Sequence, residues 1–150
     1  MGDARFRDGA ERPLRLMAMD AEDLKVVSAL AQDAVLDVRD VRWDRRARRL
    51  DVLLNRYRWE HASPEAERVR AILTVECVLT VASDGIAQGE GAVLSLLDIG
   101  FEPGDAPGGA LLLRFSGDGT LRVAVEALEV RLADVTRPYA APSGMAPQHD

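Results

Sequence analysis

In the run RVRAILTVECVLTVAS every odd-numbered residue from Val69 to Val81 is apolar: Val69, Ala71, Leu73, Val75, Cys77, Leu79 and Val81. The even positions include Arg70, Thr74, Glu76 and Thr80. Successive side chains of a strand point to opposite faces, so this spacing predicts one long strand with one buried face. Such a strand has to lie in a sheet that covers a core on one side. No other feature of the chain restricts its fold as much.

The flanking sequence supplies partners for that strand. PLRLMAM alternates through Leu14 and Leu16 and reads as a short strand running directly into a helix. Asp20 is a good N-cap, Asp23 adds an acid in the first turn, and Met19 and Leu24 occupy the two positions of a hydrophobic staple. Leu24, Val27, Leu30, Ala31 and Ala34 keep helical spacing, which predicts one amphipathic helix of about three to four turns. Ser83-Asp84-Gly85 is a turn signal, and AVLSLLDIGF reads as a strand apolar on both faces. FEPGDAPGG is expected to interrupt the sheet as a loop, since its prolines and glycines cannot sustain a ladder. ALLLRFSGDGTLRVAVEA reads as a hairpin with Phe115 opposite Leu121 and Leu113 opposite Val123, turning at Gly117-Asp118-Gly119 with Gly119 in the left-handed position. Leu128, Val130 and Leu132 shift the phase after Ala127, and a continued strand is the reading favoured over a short helix.

These elements predict an α+β fold: a curved antiparallel sheet or partial barrel of about six to seven strands packed on one N-terminal helix. At 150 residues, with 47% hydrophobic and 29% charged, the chain has the size and balance of a single domain. The expected division is a mobile N-terminus over 1–12, the domain over 13–135, and a disordered Pro/Ala-rich tail over 136–150. Cys77 is the only cysteine, which suits a reducing compartment. No apolar run approaches the roughly 18–20 residues that cross a bilayer. MGDARFRDGAERPLRL lacks the apolar stretch of a signal peptide, so the cytoplasm is the expected location and no membrane partner is expected. The net charge of −6 argues mildly against general nucleic-acid affinity.

Against that acidic background, RDVRWDRRARRLDVLLNRYRWE (39–60) concentrates arginine, tryptophan and tyrosine. Read as a hairpin turning near Arg46-Ala47, it has a register that puts Val41 and Trp43 on one face with Leu50 and Val52. The same register sets Asp44 opposite Arg49, Arg42 opposite Asp51 and Asp37 opposite Arg56, pairings that contribute about 0.2–1 kcal/mol each. What remains is a basic tip, Arg45, Arg46 and Arg48, and an outer strip of Leu53, Tyr57 and Trp59. A basic patch interleaved with aromatics holds single-stranded nucleic acid. Tyr and Trp beside arginine is also the composition of protein-interface hot spots. The plain alternative is a solvated tip whose aromatics pack under a neighbouring element.

Catalytic patterns are sparse. His61 and His149 have no companions at ligand spacing, and Cys77 lies on an apolar face as a small buried hydrophobe. No serine sits in a nucleophile elbow, and Gly85, Gly89 and Gly91 open no phosphate-binding helix. Asp98, Glu102 and Asp105 cluster around FEPGDAPGG as candidates for a cation site or an acid–base pair. Their spacing matches no such motif, and a solvated acidic loop is the simpler reading. Glu126 and Glu129 fall on opposite faces of a continuing strand. No cofactor or metal is expected.

The segments LNRYRWE (54–60), DIGFEPGDAPGG (98–109) and LRVAVEALEVRLADV resemble a family of small alphaproteobacterial proteins, domain of unknown function 2948, from about Pro13 to Pro138. The resemblance implies a short cytoplasmic protein with no assigned catalytic residues.

The function expected from these readings is a non-enzymatic module that binds a protein partner or a second copy of itself. Its contact would be the outer face of the hairpin, with Tyr57 and Trp59 as anchors, Leu53 in the same strip, and Arg56 and Arg58 as a polar rim. The alternatives are a weak RNA- or DNA-binding module using Arg45, Arg46 and Arg48, and a small-molecule enzyme using the carboxylates near 98–105.

Overall fold

A computed structural model of the chain describes residues 13–60, 67–86, 92–136 and 139–140. The expected mobile N-terminus over 1–12 and most of the expected tail lie outside the described residues, as do His61 and His149. In chain order the elements are β1 (Arg15–Ala18), α1 (Ala21–Ala31), β2 (Val35–Asp37), a 3-10 turn (Val38–Asp40), β3 (Val41–Asp44) and β4 (Arg49–Tyr57). They continue through β5 (Glu67–Val75), β6 (Val78–Asp84), β7 (Val93–Pro103), β8 (Gly109–Phe115), β9 (Thr120–Val125), β10 (Val130–Asp134) and β11 (Tyr139–Ala140).

The class is as expected, a mostly antiparallel sheet with one helix, but the strand count is not. Among the described residues there are eleven strands instead of six or seven. Their order is β1-β10-β5-β4-β2-β7-β8-β9-β6, with β11 on β5 and β3 on β4. The sheet is open, ending in β1 and β6. Two of the additional strands are too short to leave a periodic signal: β2 has three residues and β11 two. β11 also brings Tyr139 and Ala140, within the expected tail, into register with Arg68 and Glu67.

A third additional strand comes from the long alternation itself. The expected continuous strand through Val81 breaks at Cys77, which takes a left-handed backbone (φ 58°). β5 then pairs with β4 and β10, whereas β6 pairs with β9. The phase inverts at the break, so Val78 is buried and Leu79 stands 45% exposed. Alternation reports which side chains are apolar and is blind to a single residue that turns the backbone over.

The helix is where its capping signals put it. Asp20 Oδ1 accepts from the Asp23 amide at 2.8 Å. Leu24, Val27 and Ala31 face the core, where each large side chain contributes about 1.5–3 kcal/mol of burial. Met19, expected to staple to Leu24, stays 62% exposed, whereas Leu24 is buried. α1 packs on β1, β4 and β7. The core under it is built from inward positions such as Val52, Leu73, Leu96, Leu111, Val123 and Leu132.

The β3–β4 register is the one the hydrophobic pattern selected: Trp43 faces Leu50, Arg42 faces Asp51 and Asp44 faces Arg49. The expected Asp37–Arg56 pair does not form. The 3-10 turn shortens the chain before β3, and Asp37 instead binds its own neighbour Arg39 through the amide (2.9 Å) and guanidinium (3.0 Å). The β8–β9 hairpin keeps the expected faces but slips by two residues, with Leu113 opposite Leu121. Its left-handed positions are Gly117 (φ 81°) and Asp118 (φ 67°), not Gly119. The FEPGDAPGG segment stays in the ladder longer than expected, since Phe101, Glu102 and Pro103 pair with Leu111, Ala110 and Gly109. Gly109 is needed there because a Cβ would run into the Glu102 carbonyl and the Phe101 ring. Residues 130–134 are strand, as favoured.

Candidate interaction surface

Five neighbouring strands, β1, β10, β5, β4 and β3, present their outer faces together. The pairings align two cross-strand rows there. One runs Met17, Arg131, Thr74, Asp51, Arg42, and the other runs Arg15, Ala133, Ile72, Leu53. Asp40, in the 3-10 turn, closes the second row. With Leu16, Leu132 and Val135 these residues line a groove of about 730 Å³. Its apolar floor is accessible: Met17 and Val135 are each 51% exposed, and Leu53 and Ile72 are half-buried.

The charges around the groove are uneven. Arg131 of β10 and Arg49 of β4 share one carboxylate oxygen, Glu76 Oε1, at 2.7 and 2.6 Å. Glu76 thus answers Arg131, and Asp44 and Asp51 lie near Arg49, so the uncompensated charge at the β1–β10 end is Arg15. At the β3 end, Arg42 stands with Asp40 and Asp51, and Asp51 accepts from the Thr74 hydroxyl at 2.8 Å. Arg15 and Arg42 make no ion pair among the described residues. They sit four inter-strand spacings apart, about 19 Å.

Of the residues singled out from sequence, only Leu53 lines this groove. Tyr57 and Trp59 pack edge to face with ring centroids 4.6 Å apart. The indole N–H of Trp59 donates to the Gln32 carbonyl at 2.9 Å, tying the ring to the end of α1. Arg56 and Arg58 are buried, not at a solvent-exposed rim. Arg56 binds Asp134 through Nε and Nη2, both at 2.9 Å, and Glu60 through Nη1 and Nη2 at 2.9 and 2.6 Å. Burial pushes the Arg56 guanidinium toward its neutral form, but the hydrogen bonds and charges of Glu60 and Asp134 outweigh it and hold the group charged. Burial likewise works to raise the Glu60 carboxyl, and Arg56 reverses it, leaving Glu60 below the usual carboxylate range. Arg58 donates to Glu67 at 2.6 Å.

At the hairpin tip, Arg45 stacks over the Trp43 ring at 4.5 Å and Arg48 binds Glu126 at 2.8 Å. Arg46 makes no ion pair among the described residues. The acidic candidates do not converge on one site: Glu102 and Asp105 line one pocket, and Asp98 is not part of it. Asp98 meets Arg114 at 3.3 Å and Glu102 meets Arg122 at 3.4 Å, all four side chains about half exposed. Asp98 and Glu102 lie on one face of β7, about 13 Å apart along the strand. No group of three metal-ligating side chains occurs among the described residues, and no helix there is long and apolar enough to cross a membrane. The Cys77 thiol is pushed up, first by burial and then by Glu129, Glu126 and Glu76.

Sequence reasoning missed most of the groove because its lining comes from strands far apart in the chain. One signal was available: Ile72, with Val78, is an apolar exception among the even positions of the alternating run, whose other even residues are Arg70, Thr74, Glu76 and Thr80.

The sequence model of one family, proteins of unknown function DUF2948, matches residues 14–149. The chain belongs to this family. The DUF2948 match spans every described strand, so the groove and the hairpin tip both lie within the family's domain. No curated protein and no solved structure matches the chain.

Proposed function

We propose that the protein is a binding module without chemistry of its own, which takes an extended segment of a protein partner across the outer face of β1, β10, β5, β4 and β3. The observation that carries this reading is the groove of about 730 Å³, with an accessible apolar floor and Arg15 and Arg131 at its β1–β10 end. At about 3.3 Å per residue, its length of about 19 Å suits roughly six extended residues. The matching segment has apolar side chains in the middle for Leu53, Ile72 and Ala133, and acidic residues at the end that lies against Arg15 and Arg131. Tyr57 and Trp59 then support the surface from beside it, and Arg56 and Arg58 fix β4 from within.

A peptide array of acidic–apolar hexamers, probed with the purified protein, tests this. Wild-type protein should retain such peptides, and Leu53→Asp and Arg15→Glu should each weaken retention at least about tenfold while unfolding normally, since one desolvated contact of 1.4 kcal/mol is a factor of ten. Retention that is equal in wild type and both variants contradicts the proposal.

The nucleic-acid reading through Arg45, Arg46 and Arg48 has less support, because Trp43 and Glu126 already engage two of the three. If it holds instead, binding of a single-stranded oligonucleotide falls steeply with salt.

A further inference from the structure

We propose that two copies of the chain pair through the free edge of β6, antiparallel about Val81, with Asp84 of each copy set against the arginine tip of the other. This surface is separate from the groove and does not depend on it.

The direction of the backbone groups can be read from the pairings. The Phe115 amide donates to the Gly119 carbonyl at 2.8 Å, so odd residues of β9 face β8 and even ones face β6. The Glu126 amide donates to the Cys77 carbonyl at 2.9 Å and keeps that parity. Thr80, Ala82 and Asp84 stand opposite Ala124, Arg122 and Thr120, so their peptide groups serve β9. The peptide groups of Val81 and Ser83 therefore point outward, where no strand meets them among the described residues.

Open edges are normally protected by charge, proline or brevity. β1, the other end of the sheet, has four residues and carries Arg15. β6 has seven residues, Val78–Asp84, without proline and uncharged until Asp84; its one irregularity is the bulge between Val78 and Thr80. Leu79 is 45% exposed.

A second copy fits this edge by charge. The Val78 amide points away from β9 and donates to the Arg48 carbonyl at 2.9 Å, which places the β3–β4 tip at the start of the free edge. The edge thus begins beside Arg45, Arg46 and Arg48 and ends at Asp84. Antiparallel pairing about Val81 brings Asp84 of one copy opposite Val78 of the other, beside those arginines, and twofold symmetry makes the contact twice. The arginine tips close both ends of the shared lane and set its register.

Sedimentation equilibrium over the micromolar range on the full chain tests the proposal. Wild type should show a reversible dimer. Ser83→Pro removes an outward N–H without breaking the β9 ladder and should leave a folded monomer. Asp84→Arg should weaken the dimer roughly tenfold or more, and adding Arg46→Glu to it should restore most of that loss, because like charges facing across an interface are costly and opposite ones are not. A wild type that is monomeric throughout, or a dimer indifferent to Ser83→Pro and Asp84→Arg, overturns it. If Ser83→Pro is unfolded by circular dichroism, the charge reversal and its rescue decide alone.

Discussion

Arg56 and Asp134, 78 positions apart in the chain, meet through two parallel hydrogen bonds of 2.9 Å, with side-chain exposures of 0% and 4%. Asp134 also accepts the Leu14 amide at 2.9 Å, so one carboxylate ties β4, β10 and the entry to β1 together. Removing Arg56 strands the buried Asp134 carboxylate, whereas removing Asp134 leaves Arg56 on Glu60. Arg56→Ala should cost about 3–5 kcal/mol, and Asp134→Ala, which keeps the Arg56–Glu60 contact, about 1–3 kcal/mol. The double variant Arg56→Met/Asp134→Leu should recover part of the Arg56→Ala loss, because Glu60 still lacks its partner and the Leu14 amide lacks its acceptor, the latter worth about 1–3 kcal/mol. Urea unfolding at neutral pH measures all three, and a single variant that loses under 1 kcal/mol (roughly the worth of an exposed pair) would contradict the buried pairing.

The third member of this cluster gives a pH dependence. Glu60 titrates below its ordinary 4.5 in the folded chain because Arg56 holds it charged against the effect of burial. A carboxyl depressed by folding stabilises the native state fully above the unfolded value and loses that contribution as pH falls through the folded one. Stability should therefore decline from about pH 4.5 downward, and Glu60→Gln should flatten that part of the profile while lowering stability at pH 7. Denaturant midpoints at stepped pH values check this, and an acid limb equally steep in the variant would assign it elsewhere.

Cys77 shows how backbone and pattern part company. Valine there would perfect the alternation, but a β-branched residue at φ 58° is strained. Cys77→Val should cost about 1–3 kcal/mol, whereas Cys77→Gly should stay within about 1 kcal/mol of wild type. Thermal unfolding of the two variants decides. Equal stability would mean that β5 and β6 can join as one strand.

Much of this was legible in the sequence wherever a local rule applies. Asp20 capped its helix, and the apolar residues of 41–52 selected the observed hairpin register. The charge pairs of that register were less legible. Arg49 turns from Asp44 to Glu76, and Asp51 serves Thr74, because β5 flanks β4 on its other side and competes for each side chain. Arg56 shares the parity of Leu50, Val52 and Leu54, and Asp134 that of Val130 and Leu132. Parity alone places both inside, and only their charge suggested otherwise. The groove could not be read from the sequence, since its rows exist only once β1, β10, β5 and β4 have been ordered.

The groove itself is tested most directly by backbone amide chemical shifts of the full chain during titration with an extended acidic–apolar hexapeptide. Shifts should concentrate at Arg15, Met17, Leu53, Ile72 and Ala133, leave β8 and β9 unmoved, and vanish in Leu53→Asp. Shifts confined to Tyr57 and Trp59 or to the Arg45–Arg48 tip, or none at saturating peptide, would contradict the assignment of this face as the binding surface.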